Sequence, residues 1–360
     1  GIGRLPVSSV GQAHDAVNKL LNYDKFMLSS TGTGTTSCTS GSDGGANDWR
    51  NSVLFCADDR GEGGGGPHDG TYFMLSSEQL AQKAAVQDPC LNISKIYLDA
   101  YVQFTTPGGQ RYPDAENDLR DGVQRGALLV SYVGHGGEVG WAHERFLDNS
   151  TILGWTNLDR MPLFLTATCE FSRWDDPIRT SAGENVFLNP NGGGIGLMTT
   201  TRLAYAGPNQ NLAMDFYDVV FQPTDELGRD QRFGDIYRRT KVAATTTSSV
   251  NHRNFTLLGD PSARLALARN KAMITAITDT LGNPIDTIKA LSVVRISGTV
   301  NAPTGEVLTD FNGTVVPTVF DKESLVNTLD NDPPSSGITT PFSFKVRKNI
   351  LYRGRATVTD

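Results

Sequence analysis

No stretch of this chain strings together the ~18 consecutive apolar residues that a helical bilayer crossing needs, so nothing in it reads as a membrane span. Excess positive charge is missing as well. Lysine and arginine number 32 against 39 aspartates and glutamates, a net charge of −7, which argues against nucleic acid as the main partner. Cysteine is scarce. Cys38, Cys56, Cys90 and Cys169 contain no C-x-x-C pair, which argues against a structural zinc site. A Cys38–Cys56 or Cys38–Cys90 disulfide is left open. No leader peptide precedes "GIGRLPVSSV", which reads as the interior of a domain, and "RATVTD" ends inside a strand-like run. The expectation is a piece of a longer protein, whose ends say little about compartment.

What is present suffices for a packed fold. Hydrophobic residues make up 38% and charged residues 20% of 360 positions, enough for two domains or one large domain with an appendage. Residues 8–24 predict a helix, with Ser8 or Ser9 as N-cap and Val17, Leu20 and Leu21 on one stripe. Residues 29–47 are Ser/Thr/Gly-rich and read as a loop or boundary. Apolar runs at 52–59, 94–100, 127–137, 161–171 and 192–202 predict buried strands. Helical patterns at 76–87, 115–126 and 211–222 fall between or after them. Strands alternating with amphipathic helices imply a mostly parallel sheet covered on both faces. After residue 267 the texture becomes Thr/Val-rich and helix-free, predicting a β-sandwich. The organisation expected is 1–47 as the tail of an upstream subdomain and linker, 48–267 as an α/β catalytic domain, and 268–360 as an incomplete immunoglobulin-like sandwich.

Functional groups in parallel sheets gather at the carboxyl ends of strands. Three strands here end in reactive residues: Asp58 and Asp59, then His135, then Cys169. A cysteine needs a nearby imidazole to become a nucleophilic thiolate at neutral pH. The imidazole in turn needs an acceptor to orient it. Gly134, Gly136 and Gly137 surround the histidine and permit positive φ and close backbone approach. The Gly136 or Gly137 amide, with that of Cys169, suits an oxyanion site. Each piece alone fits an ordinary core residue or turn equally well; the combination points to thiol catalysis.

Other residues compete for attention. His143, Glu138 and Glu144 lie near His135, but a metal centre needs a third converging ligand with matching geometry. Glu170, beside the cysteine, reads either as a pocket residue or as a solvated charge. Asp175 and Asp176 precede Pro177 as turn residues. Trp141 and Trp174 suit either a cleft wall or the core. The run "GEGGGGPHDG" (61–70) lacks the Lys-Ser/Thr of a phosphate loop and reads as a loop over the site, with His68 exposed.

The stretches "YVGHGGEVGW" and "LFLTATCEF" resemble the gingipain-type (family C25) cysteine peptidases, which share the caspase-like fold. "DWRNSVLFCADD", "TSAGENVF" and "LLGDPSARLAL" fit the same pattern. "TATCEFSRWDDP", "TTTRLAYAGPN" and "DTIKALSVVRISGTV" resemble the branch acting as sortase, or C-terminal signal peptidase, of type IX secretion. The resemblance implies Cys169 as nucleophile, His135 as general base, Asp58 (or else Asp59) as the acid, and Gly136 and Cys169 as oxyanion donors. It also implies partners: cargo proteins with a C-terminal secretion signal, other outer-membrane secretion proteins and an anionic lipopolysaccharide acceptor, at the cell surface. No cofactor is implied for catalysis. Family members bind structural calcium, though no local motif here assigns ligands.

Overall fold

The computed structural model describes residues 1–28, 48–59, 69–222, 231–244, 250–268, 270–289, 291–331, 341–347, 349–354 and 356–358. Six strands form the central sheet: β1 (Ser52–Ala57), β2 (Asn92–Tyr97), β3 (Leu129–Val133), β4 (Leu163–Ala167), β5 (Gly196–Thr200) and β6 (Phe255–Leu258). Their spatial order is β2-β1-β3-β4-β5-β6. Neighbours are parallel except β6, which runs antiparallel to β5. The sequence pattern missed this edge strand, because the four residues "FTLL" following a short helix carry no periodicity. Chain order reverses between β1 and β3, and such a reversal opens a crevice at the strand carboxyl ends.

The continuous apolar runs arise because both faces are covered. On β1, Val53, Phe55 and Ala57 enter one core cluster while Leu54 and Cys56 enter the other, the alternation of a pleated strand. Helices α2 (Asp69–Gln87) and α5 (Ala206–Val219) cover the first face with Leu80, Ala84, Leu212 and Phe216. Helices α3 (Pro113–Arg125) and α4 (Ala182–Leu188) cover the second with Leu119, Val123, Val186 and Phe187. Proline opens α3, Asp114 and Glu116 complement its N-terminal dipole, and Gly126 ends it at φ +96°. Ser181 and Glu184 form a capping box on α4. Helix α1 (Val10–Leu28) joins the same body: Tyr23 lies in the first cluster, and its hydroxyl accepts the Ala266 N–H at 3.1 Å. Helices α6 (Phe233–Ala243) and α7 (Val250–Asn254) precede β6.

The described residues after 267 form two-stranded ladders and do not show the expected sandwich. Lys271–Thr278 pairs with Arg295–Asn301 as one antiparallel hairpin. Three further ladders hold nearly constant register, from Gly313↔Val358 through Thr318↔Arg353 to Asn327↔Ser343, and make a second, long interrupted hairpin. Its apolar side chains divide between the two faces, so Leu325, Leu351 and Tyr352 stay exposed while Phe344 and Val346 are buried. The hairpin is tied to the β2 end of the sheet. The Phe344 ring lies 4.6 Å from Tyr97, and the Asp99 carboxylate accepts the N–H groups of Asp330 (3.0 Å) and Asn331 (2.8 Å).

Candidate active site

Parallel register brings the sequence-predicted residues together. Ala57, Val133 and Ala167 are paired across β1, β3 and β4, and Asp59, His135 and Cys169 each stand two residues beyond them. Adjacent strands lie ~4.8 Å apart, so the three chain exits emerge side by side. Backbone bonds continue past the strands: Asp58 N–H to Val133 O at 3.1 Å and Gly134 N–H to Ala167 O at 3.4 Å.

The His135 loop is fixed through its main chain. Asp58 Oδ2 accepts the His135 backbone N–H at 2.7 Å, and Asp58 Oδ1 accepts the Asp59 N–H at 3.1 Å. The Tyr132 hydroxyl donates to His135 O at 2.6 Å, and so does the Ala142 N–H at 3.0 Å. The Asp58 carboxylate therefore grips the peptide unit of the histidine. The imidazole meets the Phe73 ring edge-on at 5.1 Å and lies 5.5 Å from the His143 ring.

Asp58, Asp59 and Glu144 bring carboxylate oxygens within 4.8 Å of one another, all buried. The sequence had placed Glu144 with the histidines; only the fold carries it to the β1 exit. Burial, then the charges of Asp59 and Glu144, push the Asp58 carboxyl well above the usual range, against the pull of its two backbone donors. Calcium takes six to eight oxygens. Here both Asp58 oxygens already accept N–H groups, and Asp59 accepts the Tyr112 hydroxyl. The trio is a buried, hydrogen-bonded carboxyl cluster.

Gly134 and Gly136 act by permitting close approach, whereas a Cβ at Gly137 would meet nothing within 4 Å. None of the three uses the positive φ that glycine permits. Gly136–Gly137 pairs with Gly140–Trp141 in a hairpin turning at Glu138 and Val139. The 135–142 bond sets the alternation, which leaves Gly136 at a non-hydrogen-bonded position with its N–H turned away from the partner strand.

Cys169 is half-buried. Its Sγ accepts the Ala204 N–H at 3.3 Å and donates to Ala204 O at 3.4 Å. Glu170 has φ +48°, an uncommon conformation for a residue with a side chain, and its N–H donates to Arg202 O at 3.2 Å. Its carboxylate lies 3.9 Å from Arg173, which bonds Glu138 at 2.8 Å. Asp175 pairs with Arg202 at the rim. The aromatic wall is corrected. Trp141 is fully buried and stacked on Tyr132 at 4.3 Å, so it is a core residue. Trp174 lies under the Arg4 guanidinium at 3.5 Å. Cys56, Cys90 and Cys169 are free thiols. Cys38, His68 and most of the 61–70 run lie outside the described residues.

The sequence profile of peptidase family C25 matches residues 1–266. The chain belongs to peptidase family C25. Among solved structures, the Arg-specific cysteine proteinase gingipain R (RgpB) is similar at TM-score 0.54 and 16% identity, over 89% of this chain and 64% of that chain. The complex of Porphyromonas gingivalis RgpB pro- and mature domains matches at TM-score 0.51 and 14% identity, over 92% of this chain and 73% of that one. Latent dimeric PorU from the same organism shares 26% identity over 47% of this chain and 16% of its own, at TM-score 0.24. The gingipain matches establish a shared fold. This C25 chain spans less than two thirds of the gingipain R chain. No curated protein matches it. No helix among the described residues is long and apolar enough to cross a membrane.

Proposed function

We propose that this C25 chain carries the catalytic centre of a cell-surface cysteine endopeptidase and transpeptidase of the PorU type. The observation that carries the reading is the in-register exit of His135 and Cys169 from neighbouring parallel strands. His135 takes the thiol proton, and Cys169 Sγ attacks the carbonyl carbon before a cargo protein's C-terminal signal domain. The oxyanion meets the N–H groups of Gly136 and Cys169, the latter without an acceptor among the described residues. His135 returns the proton to the departing amine, leaving a thioester on Cys169. Water then releases the cargo, or an amine on a lipopolysaccharide-linked acceptor takes the acyl group. The sequence stretches shared with the sortase branch favour this substrate class, and other outer-membrane secretion proteins would be partners. Asp58 supports the histidine loop.

The test uses the full-length protein, a thiol-directed peptidyl ketone probe and a cargo bearing its signal domain. Expected results are labelling lost in Cys169→Ala, labelling reduced in His135→Ala, and one cleavage at the signal junction. Normal cleavage by Cys169→Ala refutes the mechanism and leaves a docking scaffold. Cleavage at many unrelated sites replaces sortase action with general gingipain-like proteolysis.

A further inference from the structure

The segment Thr201–Tyr205 leaves β5 without joining a strand ladder, yet its Ala204 is the residue that touches the Cys169 sulfur. Two asparagines of α7 hold it from behind. Asn251 Oδ1 accepts the Tyr205 N–H at 3.0 Å, and Asn251 Nδ2 donates to Tyr205 O at 2.7 Å and to Asn209 Oδ1 at 2.8 Å. Asn254 Nδ2 donates to Leu203 O at 2.8 Å, and Asn254 O accepts the Thr201 N–H at 2.9 Å. Asn251 is fully buried, so its amide orientation is set by these bonds. The side chain imitates a neighbouring strand, engaging both the N–H and the C=O of one residue. Residues 203 and 205 are thus fastened on one side, and the Ala204 N–H turns toward the sulfur.

We propose that Asn251 is a positioning residue for the Cys169 nucleophile, holding the 203–205 segment so that the Ala204 peptide unit fixes the direction of the sulfur through both its N–H and its C=O. The inference rests on Cys169 being the nucleophile. The Ala204 peptide unit meets the sulfur twice, its N–H donating at 3.3 Å and its C=O accepting at 3.4 Å, so fastening residues 203 and 205 holds the sulfur in one orientation. The ionisable residues on the chain segments beside Cys169 are His135 beyond β3, Glu170 and Arg173 on its own loop, and the Arg202–Asp175 pair. No bond of Asn251 goes to any of them, so its effect runs through the backbone.

The experiment is the pH dependence of iodoacetamide alkylation at Cys169, followed by peptide mass mapping on the full-length protein. Asn251→Asp keeps the shape but loses the donor to Tyr205 O and Asn209. Asn254→Ala removes only the near-surface clasp on Leu203 and keeps the fold measurable should the buried variant unfold. The limiting alkylation rate, reached where the thiol is fully ionised, is expected to fall by about tenfold in Asn251→Asp and by less in Asn254→Ala, with cooperative melting retained. A purely structural role lowers the melting temperature without changing the limiting rate. Folded variants that alkylate at the wild-type rate overturn the inference while leaving the nucleophile intact. Undiminished cleavage by Cys169→Ala instead overturns the reading on which it rests.

Discussion

Gly134→Ala is the sharpest test of how the histidine loop is held. A Cβ at Gly134 would stand 2.3 Å from Asp58 Cβ, 2.5 Å from Tyr132 Oη and 2.8 Å from Tyr132 Cζ. Carbon pairs settle at about 3.5–4.0 Å, so something must move by more than an ångström. Tyr132 cannot yield cheaply, because its ring stacks at 4.3 Å on the fully buried Trp141. Asp58 cannot yield without losing its 2.7 Å bond to the His135 N–H. Overpacking costs about 1–3 kcal/mol, and leaving the His135 N–H without its acceptor about 1–3 kcal/mol. The substitution should therefore destabilise by about 3 kcal/mol or more. It should also slow probe labelling of Cys169 by about 100-fold, the penalty of ångström-scale misplacement. Gly137→Ala is the control for stability. Its Cβ meets nothing within 4 Å, so it should be neutral or gain up to about 1 kcal/mol from a stiffer unfolded chain. Urea unfolding and labelling kinetics decide. Wild-type stability and labelling in Gly134→Ala would refute the reasoning, as would equal losses in both variants.

The remaining predictions follow from burial and charge. Asp58 carries a raised carboxyl in the fold. It therefore contributes stability that is present below the unfolded carboxylate value and lost as pH rises through the folded one. Asp58→Asn should flatten that part of the urea midpoint's pH dependence above the unfolded carboxylate value, and a variant-to-wild-type difference that ignores pH would contradict it. Lys19, whose Nζ donates to Phe187 O and Gly192 O, is held down at about 7 by burial. Stability should climb as pH rises from about 7 toward the unfolded lysine value, because the unfolded chain binds the extra proton. Lys19→Met should abolish that climb in thermal melts. Asp99→Ala removes the acceptor for Asp330 and Asn331 and should loosen the hairpin by about 1–3 kcal/mol. Hydrogen exchange should accelerate at 324–327 and 343–346 while β1–β5 stay protected; uniform acceleration would show a global effect instead.

Much of the sheet was legible because a strand buried on both faces must be apolar throughout. The runs "SVLF", "LLVSYV" and "LFLTA" have no amphipathic alternative, and each runs straight into its reactive residue. The second half was harder. Apolar residues between 313 and 358 alternate well enough to predict strands, but alternation does not say whether two sheets close on each other. A long hairpin docked through Asp99 and Phe344 satisfies the same pattern.

The sequence alone determined the parts of the site: a histidine among glycines, a cysteine ending an apolar strand, and acids ending another, with motifs that mark the family. Local pattern sufficed because each residue is a few positions from the strand that delivers it. Tertiary structure decided what each part touches. It put Asp58 on the histidine's backbone, carried Glu144 beside Asp58 and Asp59, buried Trp141, and brought Ala204 to the Cys169 sulfur under the grip of Asn251. Those contacts join residues up to 86 positions apart in the case of Asp58 and Glu144. Strand order and register set them, and neither is encoded in the composition of any single stretch.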